Sequence, residues 1–583
     1  MSIDSLTGLA AAQGIPSLRP TISGREHVVT AGHYLAAQAA HSILEAGGNA
    51  VDAGVCAVLV MGVVQSEMVN IAGVAPIAVY LAERDEVLTI SGLGYWPRRV
   101  TPDLFVREHG GSIPEGILRT VVPAAPDACI TALADFGTMT FGEVARSAIG
   151  FARDGYVMYP FQANLLETFA DTLAQWPSSA EIYLPNGAPP KVGDLFVQAD
   201  LAATLQYMVD CETAASGKGR EAGLDAARDA FYRGDIARTI VDYHEANGGL
   251  LTMEDMAGFR VETERALARK VGSSTVYSCG AWCQGPSLLQ ILATLEGVDL
   301  VALGHNSTAY VHTITEAIKL CFADRHHYFG DPHFEDVPVD ELLSASYCAE
   351  RLALISPTAA SPKMPPPGSV GKDHRANVED TPRRPPTLPA LDTSYVAVID
   401  GQGNVFSCTP SDVSTDTPVV PGTGLCPSSR GSQSWADPSH PSSVAPGKRP
   451  RLTPAPFLFR TDSGGIGAFG TPGGDVQLQA LVQVWLNIEL FGMSPQQAVE
   501  APRFATYSFP DSFEPHAYNP GRLNLEARFE DDQMAALAKL GHDVVPWPDF
   551  AWRAGAVCFA RKLPSGVLEA AADPRRPAYA IGR

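Results

Sequence analysis

The chain has 583 residues, enough at ~150 residues per domain for several compact units. Lys and Arg total 42 against 64 Asp and Glu, a formal net charge of −22, which excludes a protein that works by neutralising nucleic-acid phosphate. Apolar residues at 45% and charged residues at 18% are a globular balance, not a disordered one.

Residues 1–25 are polar and turn-rich and read as a loose arm. Asp4 stands where an export signal would carry a basic residue, and no long apolar core follows, so the cytoplasm is the default location. Tyr34 to Ala46 has apolar rows at spacing four, Leu35, Ala39 and Ile43 beside Ala36, Ala40 and Leu44, which predicts a helix stopped by Gly47-Gly48. Asn49 can cap the next helix, Val51 to Val64. Its apolar run is shorter than the ~20 residues that span a bilayer, so it belongs to a protein core and no membrane partner is expected. Ile77 to Leu81 and Glu86 to Ile90 read as a hairpin. From about 139 to 330 the pattern is mainly helical, ending in Tyr310 to Asp324.

Residues 356–392 contain SPKMPPPGSV and TPRRPPTLPA, a proline density that predicts an exposed, extended linker. Beyond it the chain turns β-rich. Tyr395 to Asp400 and Asn404 to Thr409 flank Gly401-Gln402-Gly403 as a hairpin. Phe457 to Arg460 and Ile466 to Phe469 read as strands, and Val476 to Leu490 as a long apolar helix. The segment 393–583 opens abruptly at a strand, which is odd for an independent domain.

The ten cysteines are scattered, and Cys279 and Cys283 alone are close, a pattern of reduced, buried thiols. Gly465 to Gly470 matches GxGxxG, but Thr471-Pro472 delays the helix a dinucleotide site needs, so a crowded glycine strand is expected. His326, His327, Asp331 and His333 could ligate a metal, but they read as polar residues of a turn after a helix. No metal and no cofactor are expected. Gly473-Gly474 ahead of a helix could aim backbone N–H groups at one anion. Thr393 heads a strand just after the linker. Cleavage before it would give a hydroxyl nucleophile and an α-amine of pKa ~7.7–8.0 on one residue.

These pieces together resemble the γ-glutamyltranspeptidase family of N-terminal-nucleophile hydrolases, over about 26–583. Ile43-Leu44 through Gly47-Gly48-Asn49-Ala50-Val51-Asp52-Ala53, Ala323-Asp324-Arg325, Tyr328 to Pro332, Pro421 to Gly424, Ala445 to Pro450, Thr471-Pro472-Gly473-Gly474 and Ala572 to Pro577 follow its motifs in its order. The resemblance implies a four-layer α-β-β-α fold made as one globular unit from two fragments. It implies self-cleavage between Asp392 and Thr393. The parts are then a 26–355 large-subunit portion, the 356–392 linker and a 393–583 small-subunit portion that begins with the nucleophile. The fragments would form a heterodimer, with a dimer of these left open. Gly473 and Gly474 fall at the oxyanion site, and Thr409 and Ser411 at positions that hold the nucleophile.

The departures bear on substrate. Leu93 stands where the family has the arginine for an α-carboxylate, and Gln433 where it has the carboxylate for an α-amine. Leu452 and Thr453 replace paired serines, and Tyr395 replaces a histidine. A desolvated zwitterion needs charged partners that Leu93 and Gln433 lack. Arg430, whose fork suits a carboxylate, is the remaining candidate for substrate. The expectation is an autoprocessed N-terminal-threonine amidohydrolase acting on a small non-γ-glutamyl amide. The alternatives are a genuine γ-glutamyltransferase (glutathione hydrolase) and an uncut, non-enzymatic relative.

Overall fold

The computed structural model describes residues 17–370 and 393–583. The expected cleavage residue Asp392 and the linker from 371 onward lie outside the described residues.

Helix Tyr34–Glu45 ends at the glycine pair, and helix Ala50–Val64 follows. Asn49 caps the second helix by accepting from Val51 N and Asp52 N, while the Asp52 side chain answers the Asn49 N–H. Asp52 also accepts from Thr138 N, Thr138 Oγ1 and Met139 N, so one buried carboxylate ties this helix start to the loop ahead of helix Phe141–Asp154.

Two seven-stranded sheets, antiparallel throughout, form the centre. One runs Ile22–Gly24, Leu568–Ala572, Cys558–Lys562, Ile466–Gly470, Phe457–Thr461, Ser274–Ser278, Leu267–Val271. The other runs Tyr579–Gly582, Val28–Ala31, Val396–Ile399, Val405–Cys408, Ile77–Leu81, Glu86–Ile90, Thr263–Arg265. Strand alternation divides the core. Val396 and Val398 pack with helix residues such as Val55 and Leu59, whereas Ala397 and Ile399 pack with Leu458, Ala468 and Ala560 of the other sheet. Phe457, Phe469 and Phe559, on that sheet's opposite face, pack with helices Gly285–Leu295, Thr308–Tyr328 and Val476–Glu489.

The sheets approach closely where Tyr395 lies over Gly470. A Cβ at Gly470 would stand 2.1 Å from the Tyr395 ring, so any side chain there would force the ring to move. The GxGxxG stretch is thus a crowded strand, Ile466–Gly470. All ten cysteines are free.

The structure departs from expectation at four places. Within the 1–25 arm, Ile22–Gly24 is an edge strand, and Leu18 N and Arg19 N donate to Glu500, so the described part of that arm is anchored. The helix of 310–324 runs from Thr308 to Tyr328, which places His326 and His327 inside it and buried, not in a turn. The mainly helical stretch also contains the strands Thr263–Arg265, Leu267–Val271 and Ser274–Ser278. Finally, residues 356–370, expected to be exposed linker, are strapped to the Thr308–Tyr328 helix. Ser361 N donates to Glu316, Lys319 Nζ to Ser361 O, and Gly368 N to Asp324.

Candidate active site

The hairpin closed by Gly401-Gln402-Gly403 sets the geometry. Val396 pairs with Cys408 and Ile399 with Val405. The same register carried back toward Thr393 sets Tyr395 against Thr409 and Thr393 against Ser411. Ser394 N donates to Pro410 O at 2.9 Å, and the Thr393 and Ser411 hydroxyls meet at 2.7 Å. Thr393 is 1% exposed and has φ +83°, a conformation that costs a β-branched residue energy and persists only where the surroundings over-determine it. They do so here. Thr393 N donates to Met68 O at 3.0 Å, and Arg576 Nη1 donates to Thr393 O at 3.3 Å. The next side chain, Ser394, donates to Gln65 Oε1 at 2.7 Å.

Behind Ser411 stands Arg430, which donates to the Ser411 hydroxyl and pairs with Asp412, Nε to Oδ1 3.1 Å, both ions being buried. Asp412 in turn accepts from Ser428 Oγ, Ser429 N and Ser429 Oγ. A buried ion pair needs such additional hydrogen bonds to offset desolvation. Arg430, expected to meet a substrate carboxylate, is therefore engaged with Asp412 and Ser411, and its guanidinium lies 5.3 Å from the Phe513 ring centre.

Phe513 lines a cleft with Gly473, Gly474, Asp511, Trp552 and Arg576. Arg576 thus joins the cleft to Thr393. Gly473 has φ +123° and Gly474 φ +55°. Their carbonyls are engaged, Gly473 O by Val476 N and Gly474 O by Gln477 N and Gln284 Nε2. Helix Val476–Glu489 starts immediately after them.

Of the expected recognition positions, Gln433 and Thr453 come together. Gln433 Nε2 donates to Thr453 Oγ1 at 2.7 Å, and Thr453 N donates back to Gln433 Oε1 at 3.3 Å. Leu93 is buried in an apolar cluster with Val74, Trp282 and Leu452, and Val74 bridges to Ser411 through the backbone. Tyr395 lies between the sheets, its hydroxyl on Ser407. The Thr409 hydroxyl is buried with no hydrogen-bond partner among the described residues. His326, His327, Asp331 and His333 do not converge. His326 packs against His440 and Trp435, Asp331 holds Arg449, and His333 meets Glu262.

Sequence reasoning missed four contributors: Met68, Glu67, Asp412 and Arg576. Arg576 lies inside the Ala572 to Pro577 motif, which gave it no role, and Asp412 was visible only as the neighbour of Ser411. Glu67, next to Met68, is buried with Oε1 accepting the Tyr159 hydroxyl at 2.5 Å. Burial pushes its carboxyl up to about 7, with the Tyr159 hydrogen bond and the Arg576 charge opposing.

The chain matches the Gamma-glutamyltranspeptidase family profile over residues 36–583. It is 32% identical over 565 residues to the acylase ACY 1 proenzyme of Pseudomonas sp. (strain SE83), covering 94% of this chain and 92% of that one. It is 29% identical to the glutathione hydrolase-like YwrD proenzyme of Bacillus subtilis (strain 168), covering 97% and 100%. The crystal structure of cephalosporin acylase from Bacillus halodurans superposes with TM-score 0.84 at 26% identity, covering 98% of each chain. The paired sheets, the threonine heading a central strand and these relatives define an amide hydrolase of the N-terminal-nucleophile type. The chain belongs to the γ-glutamyltranspeptidase family.

Proposed function

We propose that the protein cuts itself between Asp392 and Thr393 and then hydrolyses an amide of a small acyl group other than γ-glutamyl. In this reading the sheets and their helices form the four-layer α-β-β-α arrangement, shared by fragments 1–392 and 393–583. In maturation the Thr393 hydroxyl attacks the Asp392 carbonyl, the acyl group moves from nitrogen to oxygen, and water cleaves the ester to free the α-amine. In turnover the same hydroxyl attacks the substrate carbonyl and its proton passes to the α-amine, then to the departing amine. Water releases the acyl group. Gly473 and Gly474 N–H groups hold the oxyanion, and Ser411 holds the nucleophile, while the Thr409 hydroxyl, expected to share that task, makes no hydrogen bond to it among the described residues.

The observation that carries the reading is the Thr393–Ser411 hydroxyl pair at 2.7 Å, fixed by Arg430 and beside the Gly473-Gly474 cleft. The substrate class is supported by the neutral Gln433–Thr453 pair and by Leu93 among apolar side chains, neither of which matches a zwitterion's charges. Likeness to an acylase proenzyme points the same way.

Intact mass and N-terminal sequencing of the wild type and Thr393→Ala test the first half. Fragments 1–392 and 393–583 are expected from the wild type and one uncut chain from the variant. A mature terminus elsewhere, or cleavage of the variant, refutes it. The cleaved enzyme is then offered γ-glutamyl anilide beside a panel of small acyl amides. Losing a desolvated charged partner costs ~3–5 kcal/mol, roughly two to four decades in rate, so the anilide should be turned over poorly. Efficient hydrolysis of it would make the protein an ordinary γ-glutamyltransferase.

A further inference from the structure

We propose that His27, His41 and Glu45 bind one divalent transition-metal ion of the zinc type, where the helix Tyr34–Glu45 meets the strand Val28–Ala31. This site is separate from the Thr393 centre and takes no part in its chemistry. His41 and Glu45 are one helical turn apart on the same face, and His27 immediately precedes the strand. His27 Nε2 lies 3.0 Å from His41 Nδ1 and 3.4 Å from Glu45 Oε1, and all three atoms lie within 4.8 Å of one another. Tetrahedral zinc with bonds of about 2.0–2.1 Å sets its ligand atoms roughly 3.3–3.4 Å apart, so the three atoms need only small shifts to share an ion. Two imidazoles and one carboxylate are a donor set that favours zinc, copper or nickel over magnesium or calcium.

The surroundings fit as well. Glu45 is the last residue of its helix, where the backbone dipole is negative, and the last turn has no basic residue. The second Glu45 oxygen is paired with Arg583 Nη1, and Arg583 Nε with Glu26. This leaves Oε1 facing the histidines and orients it from outside, as an outer-shell partner does. His27 is buried and Glu45 partly exposed, so three protein ligands would leave a fourth position toward water. The other close group, His312, Glu316 and His542, lacks these features. There both Glu316 oxygens are taken, one by Lys319 Nζ at 2.7 Å and the other by Ser361 N at 3.0 Å, His312 Nε2 donates to Ser356 O, and all three residues are buried.

The test is equilibrium dialysis of the full protein against Zn²⁺ alone, with bound metal counted by mass spectrometry. One equivalent is expected for the wild type. His41→Ala, which puts a good helix former at a partly exposed position, and Glu45→Gln, which keeps shape and removes charge, should each weaken binding by roughly 100-fold. His542→Gln should bind like the wild type. Zn²⁺ should also raise the melting temperature of the wild type and leave that of His41→Ala unmoved. Equal uptake by the wild type and both ligand variants, or loss of uptake in His542→Gln instead, overturns the proposal.

Discussion

Glu67 gives the most discriminating prediction, because its sign runs against ordinary acid denaturation. Its carboxyl is buried beside the residue that accepts the Thr393 N–H, and Oε2 has no hydrogen-bond partner among the described residues. Burial raises its pKa from 4.5 to about 7. A folded-state pKa above the unfolded value means that the folded protein keeps a proton the unfolded chain has lost. The stability this group contributes is therefore complete below pH 4.5 and is lost as pH rises through about 7. At ~1.4 kcal/mol per pKa unit the loss is about 3 kcal/mol. His33, whose ring centre is 4.8 Å from that of Tyr159, complicates the raw curve, since burial lowers it to about 3. It contributes the other way, with stability present above pH 6.5 and lost as pH falls. The diagnostic quantity is thus the difference between the wild type and Glu67→Gln, not either curve alone. Glutamine keeps an acceptor for Tyr159 but cannot titrate, and it carries a pH-independent cost of ~1–3 kcal/mol if its amide finds no partner. Calorimetric melts between pH 4.5 and 8 should show the wild type losing ground to the variant as pH rises. A difference independent of pH, or one of opposite slope, would refute the assignment.

Gly470→Ala places a methyl against the Tyr395 ring and should cost ~1–3 kcal/mol, read as a lower melting temperature, with partial recovery when Tyr395→Leu is added. An unchanged melting temperature would show that the sheet spacing is adjustable. Gly473→Val, at φ +123°, should cut turnover of the folded enzyme by ~10²–10³-fold if a Gly473 N–H serves the oxyanion, and near-normal turnover would move that site. Arg430→Met strands Asp412 as an unpaired buried charge and should cost ~3–5 kcal/mol by urea midpoint. Adding Asp412→Asn should recover more than half, and a double variant as weak as the sum of the singles would dissolve the pair.

The hairpin around Gly401-Gln402-Gly403 was legible because its turn chemistry and β-branched flanks agree, and the register then places Ser411 opposite Thr393. The Gln433–Thr453 pairing was approached only through motif positions; its contact spans a loop that no local pattern encodes. Leu267–Val271 was hidden because it is an edge strand whose half-buried face carries Arg269 between Leu267 and Val271, which interrupts the apolar alternation in the sequence. The helix end at Tyr328 was misjudged because buried polar residues, Asp324 through His327, look like a solvated turn. In the structure Arg325 meets Gln284 and Asp475, partners that arrive from far along the chain. Glu67 and Arg576 escaped for the same reason, their neighbours being distant in sequence and adjacent in space.

The order of strands has a consequence for handling the protein. Val396–Ile399 is flanked by Val28–Ala31 on one side and its own hairpin partner on the other, and the C-terminal strand Tyr579–Gly582 lies beyond Val28–Ala31. In the other sheet Leu568–Ala572 to Phe457–Thr461 are bracketed by Ile22–Gly24 and Ser274–Ser278. A cut ahead of Thr393 would leave two polypeptides threaded through each other's sheets, so that releasing either breaks ladders in both. Separation and denaturation would then be one event. Dilution of the folded protein would not part the pieces, and because they come apart only as they unfold, the melting temperature would rise with protein concentration.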